Sequence, residues 1–160
     1  MSYFFPSHDD LDGPAEPAER RGTPRILFVD DELALVQLAN RALPYEGCRV
    51  FGLGDPRTAL AELRANPGDY DVLVTDLRMP GLDGVELARQ ARRINPELPI
   101  ILMSGDLTAR DRRRADLDRI DDVVPKPYTM AQLAERVYRV MARRYGSVAM
   151  GAHRGPLRAS

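Results

Sequence analysis

The side chains best suited to shared chemistry are the carboxylates of Asp30, Asp31 and Asp76, the hydroxyl of Ser104 and the ammonium of Lys126. Brought within a few ångströms, the carboxylates would repel. At an effective dielectric near 20, one pair about 4 Å apart costs roughly 4 kcal/mol. Such a cluster needs cations. Mg²⁺ suits it, being a hard ion that takes oxygen ligands in octahedral geometry and retains water. Lys126 would supply a second positive charge, and it is the single lysine among 23 basic residues. Where every other basic position is arginine, one lysine kept by chance is the plain reading. A need for a compact ammonium, which a planar guanidinium cannot replace, is the functional one.

Short apolar runs that alternate with helical patterns would position these groups. Ile26 to Val29 reads as a strand, followed by Leu35, Leu38, Ala39, Ala42 and Leu43 at helical spacing. Arg49-Val50-Phe51 starts a second unit, and Asp55-Pro56 opens its helix, whose inner face is Ala59, Leu60 and Leu63. Val72 to Thr75 is a third strand, with a helix opening near Asp83 and Glu86 as a capping-box-like pair. Pro99 to Met103 is the fourth strand. The segment from Asp106 to Arg119 reads as a helix with few apolar anchors. Val123-Val124 is a short fifth strand, and Thr129 with Gln132 caps a last helix facing inward through Leu133, Val137, Val140 and Met141.

Five βα units with short connections predict a doubly wound parallel sheet of flavodoxin-like (βα)5 type, in strand order 2-1-3-4-5. Strands that are apolar throughout fit a sheet covered on both faces. Asp30-Asp31, Asp76, Ser104 and Lys126 each follow a strand, so all fall on the carboxyl rim where such sheets bind ligands. Helix capping by Asp30 or Asp31 is the simpler account of one aspartate. It does not explain Asp76, Ser104 and the lysine on the same rim.

Composition sets outer limits. The 160 residues suit one domain, 44% apolar content suits a globular core, and a net charge of −1 offers no footprint for nucleic acid or a membrane surface. No apolar run approaches the roughly 20 residues that span a bilayer, and no signal peptide is evident. The lone Cys48 cannot form an internal disulfide, which fits a cytoplasmic location. Residues 1–24 read as a disordered tail and 146–160 as a flexible one, leaving 25–145 as the folded domain. Both histidines, His8 and His153, fall in those tails, so the domain has no histidine for triad or zinc chemistry.

From about Arg25 to Arg144 the chain resembles the receiver domain of two-component response regulators. Asp30-Asp31 matches the acidic metal-binding pair, and Asp76 to Gly84 the phosphoacceptor loop with its Met79-Pro80. Ser104-Gly105 matches the hydroxyl switch position, and Lys126-Pro127-Tyr128 the Lys-Pro-aromatic motif, whose X-Pro bond is usually cis. The resemblance implies that Asp76 accepts a phosphoryl group from a phosphohistidine on a sensor histidine kinase or histidine phosphotransfer protein. It further implies that Asp31, Asp76 and the Arg78 backbone carbonyl ligate Mg²⁺, with Asp30 acting largely through water. Lys126 would neutralise phosphoryl charge, and Ser104 would hydrogen-bond the phosphoryl group. Output would pass by protein contact to an unknown protein. A phosphorelay intermediate or phosphate sink is the alternative, and homodimerisation is left open.

Some positions depart from the family pattern. Val123 stands where the family often has an aromatic residue coupled to the hydroxyl switch, and reads as ordinary strand packing. Arg78 and Asp106, each two residues beyond a site residue, read as unrelated surface charges rather than a pair at the site mouth. The run Arg110 to Arg114 reads as a solvated helix face. An aspartate-nucleophile phosphatase would need an acid/base aspartate two residues after the nucleophile, where this chain has Arg78. About 16 residues after the last helix are too few for a helix-turn-helix module.

Overall fold

The computed structural model describes residues 22–146. Most of both expected tails, with His8 and His153, lies outside the described residues. The strands are β1 (Arg25–Val29), β2 (Arg49–Leu53), β3 (Val72–Asp76), β4 (Ile100–Ser104) and β5 (Asp122–Pro125). The helices are α1 (Leu33–Ala42), α2 (Pro56–Ala65), α3 (Gly84–Ile94), α4 (Ala109–Leu117) and α5 (Met130–Tyr145), and a 3-10 turn at Leu43–Glu46 follows α1. All strand pairs are parallel, in the order β2-β1-β3-β4-β5 that the alternation of elements predicts.

Alternation along each strand divides the core in two. Ile26, Phe28, Val72, Val74, Ile101 and Met103 pack against α1 and α5. Leu27, Val29, Leu73 and Ile100 face the other way, against α2 and α3. A third, smaller cluster of Leu77, Val85, Leu102 and Ala115 sits beneath α4, with Val123 packed against it. Val123 is therefore strand packing, as the sequence suggests.

The buried phase of α1 differs from the expected one. Val36, Ala39 and Leu43 are buried, whereas Leu38 is 48% exposed. Positions 36, 39 and 43 form an i, i+3, i+7 stripe, and Leu38 stands well off that stripe on the helix wheel. Neither Asp30 nor Asp31 is the N-cap of α1; that residue is Glu32, which makes no side-chain cap bond. Both arms of the Thr129–Gln132 capping box form on α5. On α3 only one arm forms: Asp83 accepts from the Glu86 N–H, while the Glu86 carboxylate takes Arg89 and Gln90.

Helix α4 lies inside the expected segment and carries a complete Thr108–Asp111 capping box. Its attachment is mostly ionic. Asp111 is buried beneath Arg78, Arg114 reaches Asp83 at 2.8 Å, and Arg89 of α3 grips Asp118 at 2.8 and 2.9 Å. The arginine run is thus not wholly a solvated face: Arg112 and Arg113 are exposed, but Arg114 is engaged. Burial works against the Asp83 charge, but hydrogen bonds from Arg114 and the Glu86 and Val85 amides, with the charge of Arg114, together outweigh it and lower the Asp83 pKa.

Gly84 fixes how closely α3 approaches the end of β3. Its N–H donates to the Leu77 carbonyl at 3.0 Å, and a Cβ there would lie 2.2 Å from the Asp76 carbonyl oxygen. A Gly84→Ala variant is expected to lose about 1–3 kcal/mol of stability by overpacking, read as a lower midpoint in urea with an unchanged slope.

Candidate functional site

Strand ends bring the site together from separate parts of the chain. Strand β1 ends against β2 through the Asp30 N–H on the Leu53 carbonyl, at 3.1 Å. Its neighbour β3 delivers Asp76 at the adjacent position, and the Leu77 N–H continues the ladder to Met103 of β4 at 2.9 Å. Carboxylate oxygens of Asp30, Asp31 and Asp76 all lie within 4.8 Å of one another. Asp30 and Asp76 are buried, whereas Asp31 faces solvent.

Lys126 joins the two buried carboxylates. Its Nζ lies 2.9 Å from Asp76 Oδ1 and 3.2 Å from Asp30 Oδ2. Its backbone N–H donates to the Ser104 carbonyl at 2.8 Å, and the following Lys126–Pro127 peptide is cis. The other oxygens have backbone donors: Glu32 N–H to Asp30 Oδ1 at 2.9 Å, and Arg78 N–H to Asp76 Oδ2 at 3.2 Å. Ser104 is buried, and its Oγ accepts the Asp106 N–H at 3.3 Å. Every side chain singled out in the sequence for this site thus stands on one rim.

Electrostatics show that the pocket has more negative charge than it comfortably holds. Burial raises the Asp30 pKa above the ordinary carboxylate value, and the Glu32 amide and Lys126 only partly offset it. Burial also works against the Lys126 ammonium. Hydrogen bonding to Asp76 and the charge of Asp30 overcome this and raise its pKa. The three crowded carboxylates could together hold a metal ion, and their oxygen donors are of the kind a hard divalent cation takes.

Arg78 and Asp106 do not pair with each other, as expected, but the Arg78 guanidinium has a partner the sequence did not single out, Asp111. A hydrogen bond from the Thr108 side chain is the main reason the Asp111 pKa is lowered, with the charges of Arg78 and Arg114 adding to it. The spacing Thr108-x-x-Asp111 was the available signal, since a capping box fixes Asp111 in the first turn of α4. Tyr128 is also more involved than its position suggests: its hydroxyl donates to the Met103 sulfur at 2.8 Å, one residue before Ser104. Burial pushes its pKa up to about 12.

Residues 26–138 match the model of the response regulator receiver domain. The chain belongs to that family. It is 34% identical over 132 residues to the transcriptional regulatory protein TcrA of Mycobacterium tuberculosis, covering 82% of this chain and 51% of TcrA. It is 41% identical over 124 residues to the response regulator MprA of Mycobacterium leprae, covering 74% of this chain and 51% of MprA. The chain thus spans about half the length of these curated relatives. A crystal structure of a receiver domain from Clostridium thermocellum has the same fold, with a TM-score of 0.71 and 24% identity over 76% of this chain and 97% of that one. The receiver chain is therefore a signalling module of the two-component type. Among its described residues, no helix is long and apolar enough to cross a membrane.

Because Asp30 carries a charge that its buried surroundings disfavour, its neutral isostere should stabilise the metal-free receiver. The folded state holds the extra proton above the ordinary carboxylate pKa, so stability falls as pH rises from there through the raised folded value. An Asp30→Asn variant in chelator at neutral pH is expected to melt a few degrees above the wild type, with the gap closing in acid. Equal melting at both pH values would contradict this account of the pocket.

Proposed function

We propose that this receiver takes a phosphoryl group onto Asp76 from a phosphohistidine on a sensor histidine kinase or histidine phosphotransfer protein. The observation that carries this reading is the bridge of Lys126 between Asp76 and Asp30, with Asp31 alongside. The Asp76 carboxylate attacks phosphorus, the N–P bond breaks, and the departing imidazole nitrogen keeps the electron pair. Lys126 stays beside the acceptor and offsets charge on the phosphoryl oxygens. Ser104, whose hydroxyl lies on the same rim, donates to one of them.

Mg²⁺ fits the donor set. Asp30, Asp31, Asp76 and the Arg78 carbonyl would hold it, with Asp30 acting largely through water. Bound there, it neutralises charge on the transferring group. The phosphorylated surface is then read by a partner protein in the cytoplasm, or the group is passed onward, as in a relay or phosphate sink. A role in transcription belongs to the relatives' printed names, and a DNA-binding output is for this chain one candidate reader among others. The phosphatase alternative finds no acid/base aspartate at Arg78. Self-dephosphorylation is the only hydrolysis expected.

Acetyl phosphate with Mg²⁺ is expected to add one phosphoryl group, read by intact mass. Asp76→Asn should abolish the addition. Chelation, or Asp31→Ala in a folded protein, should reduce it at least tenfold. Labelling of Asp76→Asn at the wild-type level would overturn the assignment.

Lys126→Arg should also fail in part, because a wider planar head cannot sit between two carboxylates on different strands without displacing one. Its phosphorylation rate is expected to drop by about tenfold or more at unchanged fold, checked by circular dichroism beside the mass assay. A wild-type rate would return the lone lysine to chance.

A further inference from the structure

The loop after β3 and the start of α4 meet through one residue. The backbone N–H of Arg78 donates to Asp76 Oδ2, while its guanidinium pairs with Asp111 Oδ2. That same Asp111 oxygen also accepts from the Thr108 N–H at 3.1 Å and the Thr108 hydroxyl at 2.6 Å. Asp111 is 2% exposed, so loss of Arg78 would leave a buried carboxylate hydrogen-bonded only by Thr108, with the charge of Arg114 nearby. Beside this pair, Arg114 of α4 holds Asp83, the cap of α3. Apolar anchorage is thin, since Ala115 is the one buried hydrophobe among the described side chains of α4.

We propose that Arg78 is a positioning residue that relays the state of Asp76 to α4, its amide reading the Asp76 carboxylate and its guanidinium carrying the first turn of α4. The proposal rests on the phosphoacceptor reading above. Converting one carboxylate oxygen to an acyl phosphate changes the acceptor that the Arg78 amide faces, and the loop readjusts. A charge-assisted hydrogen bond to a buried carboxylate is costly to break, so Asp111 follows Arg78 instead of parting from it. The relay is polar. It does not use Val123, which only packs against the apolar cluster beneath α4. Couplings between two such sites are commonly about 5- to 150-fold.

Hydrogen exchange over residues 107–118 tests this in the full chain, with and without beryllofluoride plus Mg²⁺, in wild type, Arg78→Gln and Arg112→Gln. Uptake of the mimic is followed separately by fluorine NMR. In wild type the mimic should change exchange across α4. Arg78→Gln should bind the mimic yet lose at least about fivefold of that change, while the exposed Arg112→Gln responds as wild type does. A purely structural Arg78 would alter exchange in the free protein but leave the mimic-induced difference intact, and that result overturns the relay. If Arg78→Gln does not fold, Asp111→Asn carries the same expectation and the same overturning result. A wild type that binds the mimic without a change in α4 overturns the relay alone. A wild type that takes up no mimic overturns the phosphoacceptor reading and the relay with it.

Discussion

Two carboxylates buried side by side at the end of a parallel sheet set the terms for the rest of this molecule. Asp30 and Asp76 come from strands far apart in sequence and adjacent in space, and one ammonium reaches both. Without that ammonium, two charges would be held in a region where water cannot disperse them. Several local features serve to keep Lys126 in place. Its amide is tied to the Ser104 carbonyl, so β4 positions the cation as well as the hydroxyl. The strand order that sets β1 against β3 creates the carboxylate pair, and the β4–β5 pairing brings its counter-ion. Fold and charge balance are therefore one requirement.

The attachment of α4 follows a different rule from that of the other helices. α1, α2, α3 and α5 each bury an apolar stripe against the sheet. Among the described side chains of α4 the most deeply buried is an aspartate, and arginines on the loop and on α3 reach it or its neighbours. Apolar packing tolerates few alternative registers, because a shifted helix loses area and opens voids. Ion pairs between long arginines and short carboxylates allow a helix to shift while its partners stay in contact. They are also screened by salt and contribute modestly where they face solvent. A helix held in this way is suited to having two arrangements of similar energy.

Most of the architecture was legible because the signals were redundant. Apolar strands, Asp55-Pro56 at a helix start and Thr129 with Gln132 each pointed to the element observed. The rim residues were legible for the same reason: their types made sense only together, and each followed a strand. Two kinds of information were not readable. The phase of α1 could not be fixed, since Leu33, Leu35, Val36, Leu38 and Ala39 support more than one stripe, and only packing chooses Val36 over Leu38. Ion-pair partners were equally hidden. Arg78 has Asp106 and Asp111 within reach along the sequence, and the choice depends on where the capping box turns Asp111.

The contrast between arginine and lysine can now be read in physical terms. Arg89 meets both oxygens of Asp118 through two nitrogens, and Arg114 does the same at Asp83. These are fork-to-carboxylate pairs, where the planar head adds direction to charge. Lys126 has a different task. Its single nitrogen meets oxygens of two separate carboxylates at 2.9 and 3.2 Å, and on the proposed phosphoacceptor reading the pocket must also admit the phosphoryl group. A guanidinium would satisfy one carboxylate well and fill the space needed by the incoming group. A compact ammonium can serve both and remain beside whatever enters. Arginine elsewhere and lysine here are thus two answers to two geometries, one a fixed planar pair and the other a shared point charge.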